Sequence, residues 1–110
     1  MKTLDRELLE EAIRRITVAV HPEAIYLYGS HAYGQPDDDS DVDMFVVVGD
    51  TSILTRQIAI DAYRALRGLF LPAEIKVACR SEFERRGKWL NSIERVVKEK
   101  GVLLYGSRTG

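Results

Sequence analysis

Two short apolar runs, Ala24 to Tyr28 and Val42 to Val48, flank a stretch that cannot be part of a core, and that interruption limits the folds open to this chain. The intervening residues His31 to Val42 hold Gly34, Pro36 and four aspartates, a composition that reads as a loop. Each flanking run is short, apolar and rich in β-branched or aromatic side chains, and each is stopped by glycine, at Gly29 and at Gly49. The pattern predicts two strands joined by a long polar connection.

Helical periodicity surrounds this pair. Leu4, Leu8, Leu9, Ala12, Ile13, Ile16 and Val20 recur at helix spacing, with Asp5 and Glu7 where a helix start favours negative charge, so an amphipathic helix runs to His21-Pro22. A second helix is expected from a cap at Thr51 or Ser52, with Leu54, Ile58, Ala62, Ala65, Leu66 and Leu69 on its apolar face. Pro72 closes that segment, and Ala73 to Cys79 alternates as a third strand, with Glu74 and Lys76 opposite Ile75 and Val77. Ser81-Glu82-Phe83-Glu84 has capping-box spacing. Trp89, Leu90, Ile93, Val96 and Val97 then give another helix, supported by Glu94 four residues before Lys98 and ended by Gly101, with a short extended piece from Val102 to Tyr105. The predicted fold class is α/β, a small mixed β-sheet bearing the site at one face with helices packed behind it.

With 110 residues, 45% of them hydrophobic, residues 1–110 read as one domain. Sixteen Lys+Arg against seventeen Asp+Glu, and a pI near 6.1, give no global positive field, so direct nucleic-acid binding is not expected. The run Met44 to Val48 is far too short to span a bilayer, and the chain reads as cytoplasmic with no membrane partner. One cysteine, Cys79, excludes an internal disulfide and reads as a buried inert thiol; with only His21 and His31 beside it no zinc set arises.

The chemistry is concentrated at Gly29-Ser30-His31-Ala32-Tyr33-Gly34, directly after the first strand, and at Ser40-Asp41-Val42-Asp43, where the second begins. Glycine lets the backbone turn sharply at the strand end, and Ser30 offers a hydroxyl and an N–H to a phosphate oxygen. Asp41 and Asp43, two residues apart in a strand, emerge on one face about 6.6 Å apart along the backbone. Carboxylates so placed repel unless a cation lies between them, and magnesium is the fitting ion, taking one or two carboxylates plus waters and substrate phosphates. Glu74 supplies a further acid if the third strand lies beside the second. A calcium loop through Asp37, Asp39 and Asp41 fails, since Val42 and Val48 stand where glycine and glutamate are required. Asp37 to Asp39 read as a solvated acidic loop, Lys76 as the wet face of an edge strand, Arg85, Arg86 and Lys88 as a solvated helix end, and Tyr26 and Tyr28 as strand packing.

These residues resemble the minimal nucleotidyltransferases of the polymerase-beta-like superfamily, whose pattern of Gly-Ser-x-Ala-x-Gly, a gap, then Ser-Asp-x-Asp is matched by 29–34 and 40–43. The likeness in element order runs over nearly the whole chain, including Ser81 to Arg85 and Gly101 to Tyr105. The resemblance implies that Gly29 and Ser30 bind triphosphate and that Asp41 and Asp43 bind Mg2+. Glu74 falls at the third acidic position, where the family usually has aspartate, and it implies a metal-binding or general-base role. His31 occupies a variable position of the motif. The implied reaction is attack of an acceptor hydroxyl on the α-phosphorus of ATP, helped by two magnesium ions about 3.5 to 4 Å apart. Larger members carry extra domains for base and acceptor that this length does not hold, so a partner is implied. In the minimal subgroup that partner is a small helical HEPN-domain protein, a toxin that the nucleotidyltransferase, as antitoxin, neutralises by transferring AMP. The alternative is a catalytically weak module that inhibits its partner by contact, a reading the glutamate at 74 favours; a homo-oligomer is compatible with either.

Overall fold

The computed structural model describes residues 5–33 and 41–107, with the side chains of Ser30 and Tyr33 left aside. Leu4, Gly34, Ser40 and the acidic run Asp37 to Asp39 lie outside the described residues. The first helix, α1 (Arg6–Val20), begins where Asp5 accepts the Leu8 N–H, and ends where His21 turns into the left-handed region at φ 48°. Two of the anticipated apolar positions, Ala12 and Ile16, are fully buried. Strand β1 (Ala24–Tyr28) follows, then a single helical turn, α2 (Ser30–Tyr33), inside the segment expected to be loop. The remaining elements are β2 (Val42–Val48), α3 (Thr55–Ala65), β3 (Ala73–Cys79), α4 (Arg80–Arg86), α5 (Ile93–Lys100) and β4 (Val102–Gly106).

The four strands form one mixed sheet in the order β3-β2-β1-β4. β1 runs antiparallel to β2 and to β4, whereas β2 and β3 are parallel and joined through α3. This parallel unit needs a helix as crossover, which the sequence supplies between Thr55 and Ala65. The sheet is covered on both faces rather than backed on one. Ile25, Leu27, Met44, Val46 and Ile75 face α1 and α3 and meet Ala12, Ile16, Ile58 and Ala62. On the opposite face Tyr26, Phe45, Val47 and Ala78 pack against Phe83 of α4 and Val97 of α5. Double coverage explains why every residue of β1 is buried and why β1 and β2 read as continuous apolar runs. An aromatic group fixes the second layer: Phe83 lies 5.8 Å from Tyr26 and 5.3 Å from Phe45, centroid to centroid.

Several local expectations are displaced. α3 starts at Thr55, after Leu54 in extended backbone, because Thr51 Oγ1 accepts the Ile53 N–H and closes a turn instead of capping a helix. Leu54, expected in the core, is 64% exposed. Ser81 does not cap α4; the helix starts at Arg80, and the Ser81 N–H is held by Asp50 Oδ1 at 2.9 Å. The helix expected from Trp89 instead begins at Ile93, since Ser92 turns the chain by donating to the Arg86 carbonyl and accepting the Arg95 N–H. Trp89 and Leu90 therefore lie exposed in the intervening turn. Glu94 pairs with Arg86 rather than Lys98, which reaches Glu84 at 2.6 Å. Cys79 is half-buried rather than buried. No helix among the described residues is long and apolar enough to cross a membrane.

Candidate functional site

The face shared by Tyr26, Phe45 and Ala78 is apolar at one end and acidic at the other. Sheet register decides this: β1 and β2 pair Tyr26 with Phe45 and Tyr28 with Asp43, while β2 and β3 pair Phe45 with Lys76 and Asp43 with Glu74. Helices α4 and α5 cover the end at Phe45, Val47 and Ala78. Asp43 is half-buried, and Asp41 and Glu74 are exposed. Glu74, conditional in the sequence on a neighbouring third strand, thus stands directly opposite Asp43.

Gly29 is brought to the same place. It leaves β1 with φ +77°, a backbone state that L side chains rarely adopt, and a Cβ there would run into Asp43 Oδ2. Only glycine lets the turn lie this close to the acid. Ser30 then opens the one-turn helix α2, in which the Gly29 carbonyl accepts the Ala32 N–H at 3.0 Å. Strand end, turn and acid are therefore adjacent.

The electrostatics follow from this crowding. Burial is the main influence pushing the Asp43 carboxyl above its usual range, followed by the charges of Glu74 and Asp41; His31 and Lys76 act in the opposite sense. Asp43 is thus a carboxylate that gains from any cation placed before it. Lys76, read from sequence as a wet edge residue, approaches Glu74 with Nζ 3.5 Å from Oε1. His31 is half-buried and near enough to act on Asp43.

A magnesium ion would suit the donor chemistry at this end, since the charges that act on Asp43 after its burial are those of the carboxylates Glu74 and Asp41. Among the described residues no group of three or more His, Cys, Asp or Glu is gathered closely enough to hold a metal by itself. Asp41 and Asp43 are the residues that would carry such an ion, with water and phosphate oxygens completing its shell, while Glu74 is engaged by Lys76. Sequence reasoning passed over the cleft beside this face, lined by Arg56, Lys76 and Arg86, because its residues come from α3, β3 and α4 and show no local pattern.

A mixed sheet whose glycine turn and strand-borne acids converge at one uncovered end defines an α/β protein of the nucleotidyltransferase class. The chain belongs to the polymerase beta nucleotidyltransferase family, which it matches over residues 10–109. Among solved structures it is similar to a candidate nucleotidyltransferase from Sulfolobus solfataricus, with 22% identity, a TM-score of 0.64, and coverage of 94% of this chain and 82% of that one. It is also similar to a toxin-antitoxin structure with AMP-PNP, at 19% identity, TM-score 0.56, and 96% and 76% coverage. A mutant of the toxin-antitoxin MntA-HpeT gives 17% identity, TM-score 0.51 and the same coverages. These likenesses show a shared fold, and with the family match they make it the polymerase-beta-like nucleotidyltransferase fold. No curated protein matches the sequence.

Proposed function

We propose that this chain transfers AMP from Mg-ATP to a hydroxyl of a partner protein, and that it acts as the antitoxin of a pair whose toxin is a small helical HEPN-domain protein. The observation carrying the reading is the contact of the Gly29 turn with Asp43, itself in register with Glu74. Support for nucleotide and partner comes from two of the three neighbours, both toxin-antitoxin structures and one of them with AMP-PNP.

In this reading the backbone of Gly29 and Ser30 receives phosphate oxygens, and Asp41 and Asp43 hold Mg2+. The metal supplies charge neutralisation for the leaving group and lowers the cost of forming the nucleophile. The acceptor oxygen bonds to the α-phosphorus as the bond to pyrophosphate breaks, and the hydroxyl proton passes to a carboxylate, the role this reading gives to Glu74. Glu74 must first release Lys76, and the same lysine can then face phosphate. Positioning and fixed charge, rather than covalent participation, supply the rate.

Glutamate at 74, where the resembled family usually has aspartate, supports a second reading, in which the chain inhibits its partner by contact alone. Incubating the purified chain with Mg-ATP and the product of its neighbouring gene, followed by intact mass spectrometry, separates the two. The transferase reading expects the partner to gain the mass of an AMP unit, and to gain none with Asp41→Asn/Asp43→Asn. A stable complex with no adduct sinks it.

A further inference from the structure

Strand β3 is the outermost of the described strands on its side, so none of them pairs with its outer margin. The Ile75 N–H points away from β2, toward the Tyr63 hydroxyl of α3, which accepts it at 2.7 Å. Alternation along a strand then turns the Val77 backbone outward as well. Two clefts of about 490 and 460 Å³ adjoin this margin and share Val77, Thr55, Arg86 and Glu94, so they form one groove running along β3 from Lys76 to Cys79. Apolar side chains stand exposed at its lips, Ile53 and Leu54 on one side and Ile93 on the other. In the cleft nearer Glu74 the charges are Arg56, Lys76 and Arg86 against Glu94. Arg86 is paired with Glu82 and Glu94, whereas Arg56 makes no ion pair among the described residues.

We propose that the outer edge of β3 docks an extended, acidic polypeptide segment by strand addition, and that this segment is the one bearing the acceptor hydroxyl. This rests on the transferase reading for the word acceptor, not for the docking. Backbone pairing at Val77 provides affinity, the apolar lips receive alternate side chains, and Arg56, which makes no ion pair among the described residues, selects carboxylates. The Tyr63 hydroxyl occupies the next outward amide, so pairing stops at Val77 and the segment leaves the edge beside Glu74. Charge and shape together favour polypeptide over nucleic acid: the chain as a whole carries a net charge of −1, and the groove presents a strand edge with apolar lips.

The test is an amide-resolved NMR titration of the full chain, without nucleotide or magnesium. The probe is a blocked hexapeptide, Val-Glu-Val-Tyr-Val-Glu; its controls replace glutamate by lysine, N-methylate alternate amides, or substitute hexauridylate for peptide. The expected result is shifts and slowed hydrogen exchange centred on Val77 with the acidic peptide, loss with the N-methylated form, and weakening by about fivefold in Arg56→Glu. Absence of shifts, equal binding of the N-methylated form, or hexauridylate displacing the peptide from these amides overturns the proposal. Peptide binding in a chain that never transfers AMP would sink the transferase reading alone. AMP transfer with no peptide response would sink only the edge.

Discussion

Replacing Gly29 by alanine tests the core geometric claim without reference to any ligand. Two costs are expected, and they are separable. The backbone at φ +77° imposes about 1–2 kcal/mol on any residue with a Cβ, whatever surrounds it. The new methyl also meets Asp43, overlapping Oδ2 and lying 3.1 Å from Cγ, and forcing a group into occupied space costs roughly 1–3 kcal/mol. Gly29→Ala should therefore lose about 2–5 kcal/mol in all. In an Asp43→Ala background the carboxylate is gone and the nearest remaining Asp43 atom, Cβ at 3.3 Å, leaves little beyond the backbone strain. Urea unfolding of the four proteins, followed by far-ultraviolet circular dichroism, gives the coupling directly from the double-mutant cycle. The expected coupling is about 1–3 kcal/mol, well above the roughly 0.5 kcal/mol within which unconnected sites add. If alanine at 29 costs the same with and without Asp43, the turn does not lie against the acid, and the site as described is wrong.

Other outcomes follow from the same geometry. Asp43→Asn should raise stability by roughly 0.2–1 kcal/mol at neutral pH, because it removes a like charge directly opposite Glu74; a clear loss in urea unfolding would contradict this. The raised Asp43 carboxyl makes the folded state bind the extra proton, so its contribution to stability declines as pH rises from the unfolded value near 3.8 through the raised folded value; stability of wild type minus Asp43→Asn across that window should fall, and a rising difference would refute the sign. Ser92→Ala removes the cap of α5 and the bond to the Arg86 carbonyl, so a loss of about 1–2 kcal/mol is expected by thermal unfolding. Phe83→Ala empties the aromatic contact with Tyr26 and Phe45 and should cost about 3–5 kcal/mol, enough to expose the apolar face to a hydrophobic dye.

The strands were legible because β-branched and aromatic runs bounded by glycine or proline admit little else, and β1, β2 and β3 fall where those runs lie. The ends of α1 at His21 and of α5 at Gly101 were legible too, but the starts of α3, α4 and α5 were not, because each was settled by a partner distant in sequence or by a competing local bond. Thr51 spends its hydroxyl on the Ile53 amide, which moves the start of α3 to Thr55. Asp50, thirty-one residues away, takes the amide that a capping box would have satisfied at Ser81. Ser92 was hidden inside an apolar periodicity that ran unbroken from Trp89 to Val97, and the structure breaks it there. The site shows the same division. Spacing alone put Asp43 on β2, whereas Asp41, expected on the same strand, lies one residue before that strand begins, and composition made Gly29 a turn. That Asp43 faces Glu74 depends on the parallel register of β2 and β3, and the Val42 N–H to Pro72 carbonyl bond at 2.9 Å fastens its first step. No local signal encodes that bond.

The position of the acids also has a packing reason. Asp43 lies on the same sheet face as Phe45 and Val47, which are buried beneath Phe83 and Val97. Carrying that helical layer two residues further along β2 would bury Asp43 and Glu74 side by side, a costly placement for like charges without a cation. The layer stops short of this. Phe83 closes the apolar end by filling the space between Tyr26 and Phe45, and Lys76, paired across from Phe45, begins the polar end. The same aromatic contact that stabilises the core therefore marks where it ceases, leaving Asp43 with enough burial to raise its carboxyl and enough opening to meet a cation. A variant that extends the apolar layer, such as Lys76→Leu, should for this reason drive the Asp43 carboxyl further up by removing the one cation that counters Glu74 from β3. Carboxyl carbon shifts of Asp43, followed by NMR against pH, would show it; an unchanged or lowered midpoint would mean that the lysine charge does not reach the acid pair.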